Sequence, residues 1–370
     1  MKVAIIHDWL NGMRGGEKIL EVLCELFPDA TIYTLLFEKE KLSEKINRMN
    51  IRTSFIQKLP FVFKKYRYYF PLFPKAVESF DLNGYDLIIS SSHCVAKGAL
   101  KPNGALHLCY CHTPMRYAYD KYNDYFPDNS KNPIKHFFIS KIIDRIRKWD
   151  IKTANCVDYY VANSQNIADK IKKYYGVNTD VIYPPVDTEF FKPINENKDY
   201  FLIVSAMVQY KRVDVAIEAF KKNKKELIIV GNGPLLNKQK ELVRGCKNIK
   251  FEGWVNQERL RDLYGKCRAL IFPVDEDFGI IPLEAQACGR PVIAFKKGGA
   301  LESIMEGETG IFFTEQNADS LNRAIVEFER SNFDKDTIRS NALRFDRKIF
   351  KEQILNWINQ KVENSFKQEK

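Results

Sequence analysis

The stretch Phe272-Pro273-Val274-Asp275-Glu276-Asp277-Phe278-Gly279-Ile280-Ile281-Pro282-Leu283-Glu284-Ala285-Gln286-Ala287-Cys288-Gly289-Arg290-Pro291-Val292-Ile293-Ala294 sets the architecture of this chain. A strand is expected to end at Phe272. A loop follows, and Pro282 then falls in the first turn of a helix, where its missing N–H does no harm; Gly289 stops that helix before the next strand. Strand, loop, helix and strand in this order build a parallel sheet with crossover helices. The loop would lie at the carboxyl end of the sheet, with the amides of Gly279, Ile280 and Ile281 pointing out of a helix N-terminus, where anions and phosphates bind. Glu284, one turn into the helix, can reach ribose hydroxyls at the same crevice. Glu276, eight residues earlier, can face whatever is attached to the phosphate.

Outward from this unit, short apolar runs alternate with longer periodic segments in both directions, so the expected class is α/β. Residues 3–7, 30–35, 87–91, 106–111 and 159–162 are expected strands of one open sheet. Residues 200–205, 226–230, 249–251, 269–272, 291–295 and 310–313 are those of a second. Between them, Ile182-Tyr183-Pro184-Pro185-Val186-Asp187 and the polar run 195–199 read as a linker, because two adjacent prolines continue neither a helix nor a central strand. The expected division is 1–185, 186–348 and a closing segment, 349–370. Its helix, through Ile349, Phe350, Ile354, Trp357 and Ile358, is expected to cross back to the first domain, leaving a loose tail after Val362.

With 370 residues, 28% of them charged and 45% hydrophobic, the composition is that of a soluble globular protein and excludes a disordered chain or a small disulfide scaffold. At roughly 100–200 residues per domain the length supports two domains with a cleft between them. Neither a signal peptide nor an apolar run of ~18 residues is expected. The eight cysteines lack the paired spacing of a metal ribbon or disulfide framework, so the chain reads as reduced and cytoplasmic. The net charge of +11 is uneven: residues 51–150 hold 16 basic against 8 acidic side chains. That block contains the aromatic and cationic run from Leu59 to Phe70 and an apolar stripe with a basic face from Ile134 to Trp149. Two readings stay open for them, an anionic membrane interface or ordinary core-packed helices with solvated Lys and Arg.

The pair Glu276 and Glu284, with seven residues between them in the loop–helix unit, resembles the donor-site motif of family 4 of the retaining glycosyltransferases, which have the GT-B fold of two Rossmann-like domains facing across a cleft. The resemblance extends along the chain through Gly15-Gly16-Glu17, His112 in Cys111-His112-Thr113-Pro114, Asn163-Ser164, Tyr183-Pro184-Pro185-Val186-Asp187, Tyr210-Lys211-Arg212, Gly231-Asn232-Gly233-Pro234 and Gly298-Gly299. Asp8-Trp9-Leu10 and Tyr210-Lys211-Arg212-Val213-Asp214 look most like mannosyltransferase-like members that build surface polysaccharides.

The resemblance implies that Glu284 binds the nucleotide ribose and Glu276 the donor-sugar hydroxyls, while Lys211, with Arg212 near it, neutralises the diphosphate. Gly15 and Gly16 would let their loop approach the donor closely. His112 would contact the sugar or the reacting centre, and backbone around Trp254 and Val255 would meet the base. Retention in the family is usually explained by front-face attack, the leaving phosphate helping to take the acceptor's proton, so no protein nucleophile is required. Many relatives carry an Arg five residues before the phosphate-binding Lys; here that position is Ala206, which leaves Arg212 as the nearest second cation. The implied partners are a nucleotide-sugar donor, GDP-mannose first, and a growing glycan or lipid-linked glycan acceptor, with no nucleic acid and no cofactor.

Rival readings remain. Asp275-Glu276-Asp277 matches an acidic pattern that holds a divalent metal in another glycosyltransferase fold, although the preceding strand and the basic phosphate partners favour the phosphate site. Cys109-Tyr110-Cys111-His112 could supply soft ligands, but alternate strand residues face opposite ways and no metal site is expected. Gly12-Met13-Arg14-Gly15-Gly16 lacks the dinucleotide spacing. His7, His93, His107 and His136 are expected to be structural or solvated. Tyr117, Tyr119, Tyr122, Tyr125 and Phe126 could floor an acceptor sugar or form a loop core. A sugar-nucleotide epimerase on the same fold and a non-catalytic nucleotide-binding scaffold are the alternative functions.

Overall fold

The computed structural model describes residues 1–126 and 133–368. Most of its strands are short and buried along nearly their whole length, as parallel strands covered on both faces must be. In the first sheet, β1 (Val3–His7), β2 (Thr31–Thr34), β3 (Asn50–Thr53), β4 (Leu87–Ser92), β5 (Leu106–Cys111), β6 (Tyr159–Ala162) and β7 (Asp180–Val181) run in the order β3-β2-β1-β4-β5-β6-β7. In the second, β8 (Phe201–Val204), β9 (Leu227–Val230), β10 (Ile249–Gly253), β11 (Leu270–Phe272), β12 (Val292–Phe295) and β13 (Gly310–Phe313) run β10-β9-β8-β11-β12-β13. Every pairing in both sheets is parallel. These are two Rossmann-like sheets of the α/β class expected from the sequence.

Period-two alternation distributes the first core over the two sheet faces. Ala4, Ile6 and Ile88 enter one cluster with Phe73, Ile143 and Ile146, while Val3, Ile5, Leu87 and Ile89 enter another with Ile19, Leu20 and Leu23 of the helix Gly15–Leu26. The second cluster is completed from the far end of the chain. The helix Arg347–Gln368 adds Phe350, Ile354, Trp357 and Ile358, spaced along one helical stripe. Trp357 Nε1 donates to Asp180 Oδ2 at 2.8 Å and Lys361 Nζ pairs with the same carboxylate at 2.9 Å. Contacts divide the chain into a unit of Met1–Pro184 with the segment from Phe350 onward, and a unit of Pro185–Ile349.

Four expectations are corrected. The tail after Val362 is not loose, because the last helix runs on to Gln368. The run from Leu59 to Phe70 is not one helix. Phe61 sits in the left-handed region at φ +54° and Pro71 interrupts the far end, so only Val62–Lys65 is α-helical and Tyr66–Leu72 is a tighter 3-10 segment. The linker is shorter than expected, since Val186 and Phe191 are already buried in the second unit. The edge strands β3 and β7 were not expected, one being polar and largely exposed and the other only two residues long.

In each sheet the strand order reverses direction once, between β1 and β4 in the first and between β8 and β11 in the second. Loops leaving the carboxyl ends of those neighbours diverge to opposite sides and open a crevice there.

Candidate functional site

Lys211 and Glu276 reach the second sheet's crevice from the two diverging loops, Lys211 after β8 and Glu276 after β11. Their side chains form an ion pair, Lys211 Nζ to Glu276 Oε1, with only 15% and 12% of each side chain exposed. The Tyr210 ring lies 5.5 Å from the same ammonium. The loop carrying Glu276 is held tightly. Its carbonyl accepts the Gly299 N–H at 2.9 Å, and a Cβ at residue 299 would stand 2.2 Å from the Phe278 Cα, so only glycine fits. Gly279 follows at φ +86°, turning the chain into the helix Ile281–Ala287. Ile280 caps that helix and Ile281 opens it, both half-buried, so the expected amides do sit at a helix start.

Glu284 lies in the first turn of that helix, 5% exposed, and its Oε2 accepts the Tyr264 hydroxyl at 3.0 Å. Tyr264 is wholly buried; burial first, and the neighbouring Glu284 carboxylate second, push its phenol far above the usual range. It therefore stays a donor and fixes the carboxylate's orientation. Asp275, next to Glu276, lies 3.4 Å from Lys297. Among the described residues no group of three or more His, Cys, Asp or Glu side chains is gathered as metal ligands would be.

Arg212 has partners of its own, Gln316 and Asp214. It adopts the left-handed conformation, φ +51°, where β8's loop enters the helix Val213–Asn223. Its guanidinium donates to Gln316 Oε1 at 2.8 Å and stands 3.3 Å from Asp214, and Gln316 in turn donates to the Pro273 carbonyl at 2.8 Å. The cation is thereby strapped to the loop that leads to Glu276. Val255, half-buried, and Trp254, 78% exposed, follow the end of β10.

The first sheet's crevice is built around histidines. Asp8, just past β1 and 1% exposed, accepts four backbone N–H groups from the loop after β4: His93 and Cys94 on one oxygen, Val95 and Ala96 on the other, at 2.6–2.9 Å. It also pairs with His93 Nδ1 at 3.1 Å. Ser91, within β4, bridges two rings, its Oγ lying 3.1 Å from His7 Nδ1 and 2.8 Å from His112 Nε2. Gly16 lies over both, since a Cβ there would sit 3.5 Å from His7 and 3.6 Å from His112. Beside it, Glu17 accepts the Arg14 N–H at 2.9 Å and approaches His7 Nε2 to 3.8 Å. Gly15 opens the same helix.

Electrostatics disfavour the charged form of two of these rings, His112 and His93. Burial, then the charges of His93, His7 and Arg116, keep the His112 imidazole well below its usual range. Burial also lowers His93, outweighing the opposing pull of Asp8. Burial would raise the Glu17 carboxyl, but the neighbouring His7 and the backbone amides prevail and hold it low.

The structure thus brings Lys211 and Glu276 together, and sets Glu284 on the helix that leaves the Glu276 loop. It also gathers His7 and His93, expected to be structural or solvated, around His112. Sequence reasoning missed Tyr264, Gln316, Ser91 and the anchoring role of Asp8. Only Asp8 carried a signal, a carboxylate directly behind a strand that is apolar up to its last residue, His7. The aromatic run after His112 packs largely into the core: Tyr117, Tyr119, Tyr122 and Phe126 lie against it, and Tyr119 stacks on Tyr174 at 4.2 Å.

Comparison with known proteins adds a family. A model of "Glycosyl transferases group 1" matches residues 186–344, and one of "Glycosyltransferase Family 4" matches residues 15–190. An uncharacterized glycosyltransferase of Methanocaldococcus jannaschii is 28% identical over 200 residues, 52% of this chain and 54% of that protein. An O-antigen chain mannosyltransferase of Salmonella typhimurium is 28% identical over 249 residues, 63% and 66% of the two. The matches span about half to two thirds of the length of these curated relatives. Among solved structures, Anabaena HepE in complex with UDP superposes with a TM-score of 0.72 at 18% identity, covering 97% of this chain and 100% of that one.

Proposed function

The chain belongs to the family 4 glycosyltransferases of GT-B fold, and from that premise we propose that it is a retaining, metal-independent enzyme transferring a sugar from a nucleoside diphosphate to a growing surface-glycan acceptor. The observation that carries this reading is the convergence of Lys211 and Glu276 from both sides of one topological switch point, with a buried, pre-oriented Glu284 on the adjoining helix. A nucleoside diphosphate is a good leaving group, so catalysis requires cations and oriented amides to meet its departing charge more than it requires acid chemistry. Lys211 and the helix start at Gly279, Ile280 and Ile281 supply these, with Arg212 as the second cation. Glu284 takes the ribose hydroxyls, Glu276 the sugar hydroxyls, and backbone near Val255 the base. Gly15 and Gly16 admit the donor closely, and His112 contacts the sugar. Attack from the front face, with the leaving phosphate accepting the acceptor's proton, then needs no protein nucleophile.

Mannose from GDP-mannose is the first donor to test, supported by the mannosyltransferase among the relatives. We assign the acceptor to a lipid-linked glycan at the cytoplasmic face of a membrane. Supporting this, Phe61, Tyr68, Phe137 and Phe138 are exposed, with Lys65 over Phe61 and Lys141 over Phe137 at 5.6 and 5.5 Å. Among the described residues no helix is long and apolar enough to cross a membrane. Assaying nucleoside diphosphate release from a panel of nucleotide sugars, with and without lipid-linked acceptors and with and without EDTA, tests the proposal. Acceptor-dependent release with a product of retained anomeric configuration supports it. Conversion of the sugar nucleotide without an acceptor would indicate an epimerase, and binding without turnover a scaffold.

A further inference from the structure

Ser91 Oγ has one proton and two imidazole nitrogens within hydrogen-bond reach. It can donate to one ring at most and must accept from at least one, so the two histidines cannot choose their tautomers independently. His7 is sealed at 1% exposure, and its Nε2 has no hydrogen-bond partner among the described residues. The group that nitrogen faces is the Glu17 carboxylate, 3.8 Å away. A singly protonated His7 ring places that proton best on Nε2, toward the negative charge. His7 Nδ1 is then an acceptor, Ser91 donates to it, and the Ser91 oxygen accepts from His112 Nε2–H. The lone pair of His112 is left on Nδ1.

We propose that Glu17, His7 and Ser91 are positioning residues that fix His112 as the Nε2-protonated, neutral tautomer, presenting Nδ1 as a hydrogen-bond acceptor to a sugar hydroxyl. The role toward sugar rests on the glycosyltransferase reading above; the tautomer does not. Other groups bearing on His112 agree with a neutral ring. The Tyr110 ring lies at 5.2 Å and the His93 ring at 6.2 Å, Arg116 adds positive charge, and the Asp8 carboxylate is spent on His93 and the four amides behind it. The Asn163 amide donates to the His112 carbonyl at 3.0 Å, holding the backbone that carries the ring.

The chain contains five histidines, so selective ring labelling with nitrogen-15 gives a spectrum assignable by substitution. The experiment is a long-range proton–nitrogen correlation of the full chain at pH 8, above the ordinary imidazole range, without substrate. His112 is expected to show the Nε2–H pattern in the wild type, and a mixture of tautomers in Ser91→Ala and in the isosteric Glu17→Gln. Ser91→Thr, which keeps the hydroxyl, is expected to restore the wild-type pattern. In the transfer assay, Ser91→Ala should lower kcat about tenfold, as the loss of one oriented hydrogen bond would, with KM for the nucleotide sugar nearly unchanged. An Nδ1–H pattern for wild-type His112, or a pattern unmoved by both Ser91→Ala and Glu17→Gln, would overturn the relay. The expected tautomers in a protein that turns over no nucleotide sugar would support the relay and overturn the enzymatic reading instead.

Discussion

Glu284 is the residue at which nucleotide recognition and local stability can be separated by experiment. Its carboxylate is buried and accepts the hydroxyl of the wholly buried Tyr264 at 3.0 Å. Replacing Glu284 by Ala removes both the proposed ribose acceptor and the partner of that phenol. The charge-assisted bonds to the ribose amount to about 1.5–3 kcal/mol, or roughly 10- to 150-fold in Kd. The orphaned phenol costs a further ~1–3 kcal/mol of stability, and each kcal/mol lowers the melting temperature of a domain of this size by roughly 2–4 °C. Glu284→Gln keeps an acceptor for Tyr264 and loses only the charge. It should therefore melt close to wild type yet bind nucleoside diphosphate at least about fivefold more weakly, near 1 kcal/mol. Tyr264→Phe removes the orienting bond and should fall between wild type and Glu284→Gln in affinity. Titration calorimetry with GDP and UDP, paired with thermal melts of each variant, reads both quantities. If Glu284→Gln and Glu284→Ala both bind these nucleotides as tightly as wild type, Glu284 is not the ribose ligand and the site is misplaced.

Lys211→Ala and Arg212→Ala should each lower turnover at least about tenfold, ~1.4 kcal/mol of transition-state stabilisation, and Arg212→Lys should rescue poorly, because a lysine cannot reproduce the fork that holds Gln316. Wild-type steady-state kinetics for Arg212→Ala would remove it from the site. Glu276→Gln should depress turnover while leaving nucleoside diphosphate binding unchanged or tighter, because Lys211 is released from its ion pair; weaker binding by calorimetry would contradict that. Co-sedimentation with anionic vesicles should be seen at low salt, and should fall when Lys64, Lys65 and Arg67 are neutralised or when salt screens them, the screening length being about 8 Å at physiological ionic strength. Buried His107 is held by desolvation at a pKa of about 4, below its unfolded value of about 6.5, so the unfolded chain takes up the proton first as pH falls. The stability this ring contributes is complete above pH ~6.5 and is lost progressively toward pH ~4, about 2 kcal/mol of it by pH 5. His93 and His112 shift in the same direction. Urea titrations at pH 7 and 5, followed by tryptophan fluorescence, should show the loss, and His107→Gln should show less of it.

The parallel sheets were legible because strands buried on both faces leave uninterrupted apolar runs, as at residues 3–6 and Gly310–Phe313. Edge strands leave no such record, and the exposed Asn50–Thr53 carries none. The Glu276 and Glu284 loop was legible because proline and glycine punctuate it at positions with one backbone meaning each. What stayed hidden is long-range pairing. Nothing local marks Tyr264 as the partner of Glu284, 20 residues on, or Gln316 as the clasp of Arg212, 104 residues earlier. The histidine cluster failed for a related reason. Each ring considered alone is most simply a core residue, and its chemistry emerges only when β1, β4 and β5 are laid side by side.

The last helix sets the order in which this protein can be made. Phe350, Ile354, Trp357 and Ile358 complete one of the cores against which the first sheet packs, so that core stays open toward water while the ribosome is still translating the second unit. The second unit, whose residues are contiguous from Pro185 to Ile349, has all its parts earlier and can close first. Synthesis from the N-terminus therefore leaves the earliest-made half finished last, with Ile19, Leu23 and Ile89 waiting on a segment more than 250 residues downstream. A nascent chain arrested before that helix emerges should expose this apolar face and be the species on which chaperones act.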